Sequence, residues 1–155
     1  MPRTRFVAQA GVIAAVYAAF TLVMLQVPGG LGYGPVQLRL SEALTVVACL
    51  TPAAIPGLAI GSVVANGVLV AQVGAIALLD VVFGSLATLL GAWWSWRHRS
   101  RPLVALAGPV LANALIVPAY LPAVLAGLGF YEVPLLGLDA GGSWAGMYAF
   151  GLVAV

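Results

Sequence analysis

Lysine is absent, and cysteine and histidine occur once each, as Cys49 and His98. Without lysine there is no phosphate-binding GxxxxGK[ST] loop and no Schiff-base amine. One cysteine and one histidine fall short of the three protein ligands a zinc site needs, so no metal site is expected. A lone cysteine closes no internal disulfide. Charge is scarcer still: only 6% of 155 residues are Asp, Glu, Lys or Arg, where a soluble domain carries about a quarter. Hydrophobic residues make up 63% of the chain, and the mean hydropathy is +1.13. So few polar groups cannot cover a water-soluble globule of this size, which argues against a soluble enzyme and for a bundle immersed in lipid. The net charge of +2 says nothing about nucleic acid, because so few charges exist at all.

What is present is a succession of long apolar runs. A membrane-spanning helix needs roughly 20 mainly apolar residues, and runs fall at 6–27, 38–50, 53–70, 74–96, 103–127 and 143–155. They predict one all-α domain, an integral membrane six-helix bundle occupying 1–155. The Thr51-Pro52 turn opens the third run, where proline suits a first helical turn. The last run reaches only about 20 Å at ~1.5 Å per residue, against a hydrocarbon core of ~30 Å, so the sixth helix reads as truncated. The first run is too long for a signal-peptide core and lacks a small-x-small cleavage site, so it reads as the first mature helix.

Arginine sets the orientation. Arg3 and Arg5 precede the first run, and Arg97, Arg99 and Arg101 separate the fourth from the fifth. Four crossings lie between the clusters, so both face one side, which the positive-inside rule makes cytoplasmic, together with the N-terminus. Trp93, Trp94 and Trp96 sit beside the second cluster, where an interfacial aromatic belt is expected.

Polar residues at membrane depth are costly and mark sites or partners. Gln37, Arg39, Glu42, Asn66, Asp80, Asn113 and Tyr120 all fall at the midplane or in the half away from the arginine clusters, which predicts a polar cavity open to the outside. Arg39 and Glu42 equally fit an i,i+3 neutralising pair at an interface. Asp80 has no cation near it in sequence, and pairing with Arg39 competes with a site there. Asn66 and Asn113 equally fit interhelical hydrogen-bonding glue, and Tyr120 fits an aromatic belt. His98 reads as solvated and Cys49 as core. Pro28–Gly34, rich in glycine, reads as an outer lid or a plain turn. On the first helix, Ala10, Ala14 and Ala18 form a small-residue ridge, with Gly11, Ala15 and Ala19 beside it, wide enough to suggest a partner helix. Gly57 and Gly61 repeat the pattern and fit packing within the bundle.

Longer motifs carry a family resemblance. Gly34 through Thr45 (GPVQLRLSEALT), Thr51 through Gly57 (TPAAIPG), Leu78 through Leu89 (LLDVVFGSLATL) and Gly108 through Val117 (GPVLANALIV) resemble, in order, motifs of the QueT queuosine-precursor transporter family. The resemblance covers about 6–125. It implies a substrate-binding S component of an energy-coupling factor (ECF) transporter in a prokaryotic plasma membrane, taking up a 7-deazaguanine such as preQ0, preQ1 or queuine. It also implies a transmembrane coupling subunit, docked on the Ala10, Ala14 and Ala18 ridge, and two ATPase subunits that hydrolyse ATP. This chain itself is expected to be no enzyme and to hold no cofactor. Asp80 or Glu42 is then the carboxylate for a guanine-like N–H edge, with Gln37, Asn66 and Asn113 for other edges, Arg39 for the carbonyl or the carboxylate, and Tyr120 for stacking. The family's last helix continues beyond the position of Val155 and often carries an acidic residue, with no counterpart here. An S component for another vitamin-like molecule and a stand-alone proton-coupled transporter using Asp80 are the alternatives.

Overall fold

A computed structural model of the chain describes residues 2–26 and 40–127, and every regular element among the described residues is helical. Helix α1 is Arg3–Leu25, α2 is Ala54–Val73, α3 is Ser85–Arg97 and α4 is Pro102–Gly127. Four segments are long and apolar enough to cross a membrane: Arg3–Leu25, Ala54–Gln72, Ala75–Arg97 and Pro102–Tyr120. The expected span at 143–155, the glycine-rich stretch 28–34, Gln37 and Arg39 lie outside the described residues.

The expected second helix takes a different form. Leu40–Cys49 is a 3-10 helix. At ~2.0 Å rise per residue its ten residues cover about 20 Å, where an α-helix would cover about 15 Å. One side of it is exposed at Ala43 and Val46, and the other is buried at Ser41, Thr45 and Ala48. Glu42 is half-buried on the inward side, and its carbonyl accepts the Thr45 hydroxyl at 2.6 Å.

The expected fourth span is continuous in sequence but not in winding. Gly74 ends α2 with φ +94°, a conformation glycine adopts without a Cβ penalty. Ala75–Ala77 follows as a tight 3-10 turn, then Asp80–Gly84 as a wide π turn, before α3 resumes α-helical geometry. π turns are rare and concentrate at functional sites.

Packing fixes the direction of each element. Gly57 lies against Ala10 and Gly61 against Ala14, so α1 and α2 run parallel in close contact; a Cβ on Gly61 would sit 2.7 Å from the Ala14 carbonyl oxygen. Helices α3 and α4 run antiparallel, with Gly91 against Pro109 and Ser95 beside Ala105. Proline at 109 has no N–H for the Ala105 carbonyl four residues earlier. The Ser95 hydroxyl donates to that freed carbonyl at 2.9 Å, so a break in one helix becomes a bond between two. These directions bring Arg3, Arg5, Arg97, Arg99 and Arg101 to one end of the bundle. Tyr17, Leu58, Ala48, Ala54 and Ala92 form the apolar core around which α1, the 3-10 segment, α2 and α3 meet.

Candidate functional site

Two polar clusters are buried side by side in the bundle, joined at the π turn. In the first, the Tyr17 hydroxyl of α1 donates to Glu42 Oε1 at 2.7 Å, and the Thr88 hydroxyl of α3 lies 3.1 Å from the same oxygen. Thr88 also lies 3.0 Å from the Gly84 carbonyl, so its single hydrogen serves one acceptor at a time. The other carboxylate oxygen, Glu42 Oε2, is buried without a hydrogen-bond partner among the described residues.

In the second cluster the Tyr120 hydroxyl donates to Asp80 Oδ1. Asn66 donates to the Asp80 carbonyl at 2.9 Å and to Ser62 Oγ at 3.4 Å, and Ser85 reaches Ser62 at 3.2 Å. Gly84 lies at the centre: a Cβ there would be 2.7 Å from Asp80 Oδ1 and 3.3 Å from both Asn66 Nδ2 and the Tyr120 oxygen. Only a glycine leaves room for these three groups to converge.

Asn113 completes the set. It is buried, and its Oδ1 has no hydrogen-bond partner among the described residues. The contacts Gly91 to Pro109 and Asp80 to Tyr120 set the antiparallel register of the two helices. By that register Asn113 lies level with Ala87, one position from the Thr88 that touches Glu42. Two unpartnered acceptors thus stand at a similar depth. Buried polar atoms are paired in the great majority of cases, so each exception calls for an explanation.

The QueT transporter family model matches residues 7–152. The chain belongs to the QueT transporter family. No curated protein and no solved structure matches it. As a QueT transporter with four membrane-capable helices among the described residues, it is a membrane protein of transport. Among the described residues no group of three or more His, Cys, Asp or Glu side chains could hold a metal.

Measured against the expectations, the QueT chain brings Asn66, Asp80 and Tyr120 together, links Glu42 to them through Thr88 and Gly84, and buries Asn113 at a similar depth along α4. Asn66 hydrogen-bonds α2 to the π turn through its Nδ2. Tyr120 stacks on Phe83 at 5.7 Å, which occupies one face of the ring proposed for ligand stacking. The Ala10, Ala14 and Ala18 ridge faces inward instead of toward a partner: Ala10 and Ala18 are buried, and Ala10 and Ala14 touch Gly57 and Gly61. Both helices are small there, so they close on each other first. The exposed alanines and glycine of α1 are Ala8, Gly11, Ala15 and Ala19.

Sequence reasoning passed over Tyr17, Thr88, Ser62, Ser85 and Gly84. The signal was helical spacing from residues it did choose. Ser62 precedes Asn66 by four positions, and Gly84 and Thr88 follow Asp80 by four and eight. Tyr17 carried no such signal, since a single tyrosine in an apolar run reads as core or belt.

Proposed function

We propose that this QueT transporter is the substrate-binding S component of an ECF transporter, and that it captures a 7-deazaguanine such as preQ0, preQ1 or queuine from outside. The observation that carries this reading is the pair of buried acceptors without partners, Glu42 Oε2 and Asn113 Oδ1. A guanine-like edge offers adjacent N–H donors. A carboxylate receives such donors through charge-assisted bonds, about twice as strong as neutral ones. Glu42 is the carboxylate for that edge and Asn113 accepts a further donor. Asp80, held by Tyr120, forms the wall beside them, and Gln37 and Arg39, just upstream of Glu42 in sequence, are candidates for the ligand carbonyl.

Sequence supports the division of labour. The chain carries no GxxxxGK[ST] loop, so ATP hydrolysis belongs to two partner ATPase subunits acting through a transmembrane coupling subunit. Gly11, Ala15 and Ala19 offer that subunit a small-residue face. The N-terminus and the arginine-bearing end lie in the cytoplasm in this reading.

Binding to the folded state alone raises stability by about 2.7 kcal/mol at a hundredfold excess over Kd. A thermal-shift screen of the purified protein with preQ0, preQ1, queuine, guanine and thiamine is therefore expected to show a rise with at least one deazaguanine and none with thiamine. No shift with any deazaguanine would sink the substrate assignment. Ligand uptake by the isolated protein in liposomes would replace the S-component role with a stand-alone secondary transporter.

A further inference from the structure

Away from the polar clusters, the outer faces of α3 and α4 enclose an apolar groove of about 320 Å³. Leu90, Trp93 and Trp94 form one wall, and Gly108, Leu111 and Leu115 belong to the other. The groove is built by a specific contact. A Cβ on Gly108 would lie 2.2 Å from Trp94 Cδ1, so glycine is what allows the indole to lie against α4. The indole Nε1 then donates to the Val104 carbonyl at 2.9 Å. Along α4 the lining residues reach Ile116, about 12 Å from Gly108 at ~1.5 Å rise per residue.

Both walls lead to a cation. On α3, Leu90, Trp93, Trp94 and Arg97 follow the i, i+3, i+4, i+7 stripe of one helical face. On α4, Leu111, Gly108 and Val104 follow the same spacing back toward Arg101, the residue just before the helix. Arg99, between them, is withdrawn: its guanidinium stacks on Trp96 at 4.0 Å and donates to the Trp96 carbonyl. Arg97 and Arg101 are exposed, and neither side chain has a partner among the described residues.

We infer that this groove is a binding site for one anionic phospholipid, with an acyl chain along Trp93 and Leu111 and the phosphate at Arg97 and Arg101. Charge complementarity selects the occupant. A zwitterionic lipid fills the apolar part equally well but gains little from two free arginines. Each basic residue near the surface favours anionic lipid enough that two give roughly tenfold enrichment or more.

The test reads tryptophan fluorescence of the full chain in phosphatidylcholine vesicles doped with the same small fraction of dibrominated phosphatidylglycerol or dibrominated phosphatidylcholine. Brominated phosphatidylglycerol is expected to quench severalfold more strongly, and Trp93→Phe to lower that excess. The double variant Arg97→Gln/Arg101→Gln is expected to bring quenching down to the phosphatidylcholine level, while Arg3→Gln/Arg5→Gln, removing equal charge at the same end, leaves it unchanged. Equal quenching by both lipids in the wild type overturns the proposal, as does equal loss in the two double variants. No quenching by either lipid means that protein covers the face, and relief of quenching by soluble glycerol phosphate means a free-anion site; either result also overturns it.

Discussion

Asp80 and Glu42 are both carboxylates inside an apolar bundle, and their surroundings treat them in opposite ways. Asp80 is wrapped: Tyr120 donates to its side chain, Asn66 to its carbonyl, and Gly84 leaves just enough room for all three. Glu42 is held by one oxygen only, with Tyr17 and Thr88 on Oε1 and nothing on Oε2. A satisfied buried group stabilises the fold modestly, whereas an unsatisfied one costs about 1–3 kcal/mol. The difference separates a structural carboxylate, which ties α2, the π turn and α4 together, from one left ready to receive a hydrogen-bond donor.

Three substitutions probe that contrast. The largest effect is expected from Asp80→Ala, which takes the acceptor from Tyr120 and opens space at the centre of the second cluster. Unfolding measurements should show a loss of roughly 3 kcal/mol or more. A loss below about 1 kcal/mol would mean that Asp80 does not tie these elements together. Next comes Glu42→Gln, which keeps shape and the Tyr17 contact but removes the charge. Ligand affinity should fall about 10- to 100-fold in a titration, as for one charge-assisted bond, while Tm stays nearly unchanged. A large drop in Tm with intact affinity would reverse the roles assigned to the two carboxylates. The smallest is Asn113→Leu. It replaces an unpaired acceptor with an apolar side chain of similar size, so stability should hold or rise by about 1 kcal/mol. Weaker ligand binding in the same variant is the expected companion; clear destabilisation would show that the Asn113 amide is already in use by the fold.

Much of this was legible in the residues. Apolar runs 6–27, 53–70 and 103–127 correspond to α1, α2 and α4 with ends shifted by a few positions, because burial in lipid demands length and hydropathy that composition cannot disguise. Glu42, Asp80 and Asn113 stood out because polar atoms at membrane depth are expensive wherever the chain leads. The 3-10 winding of Leu40–Cys49 and the π turn at Asp80–Gly84 were not legible. Both choose among backbone hydrogen bonds of similar energy, and the choice belongs to the packed neighbours. Nor could the sequence say which small stripe of α1 faces inward. Alanine and glycine occur on both sides, and only the approach of Gly57 and Gly61 selects Ala10 and Ala14.

By itself, then, the sequence determined the solvent. Few charges, no lysine and repeated apolar runs place the chain in a membrane and exclude a nucleotide-binding loop of its own. It also determined which polar residues need an account. Tertiary structure decided which of them are already answered. Asn66 and Asp80 find partners because α2, the π turn and α4 meet there, and Ser95 finds the Ala105 carbonyl because Pro109 freed it. Glu42 Oε2 and Asn113 Oδ1 find none among the described residues. Hydropathy is a property of each residue alone, but satisfaction of a hydrogen bond is a property of a pair, and pairs exist only once helices pack.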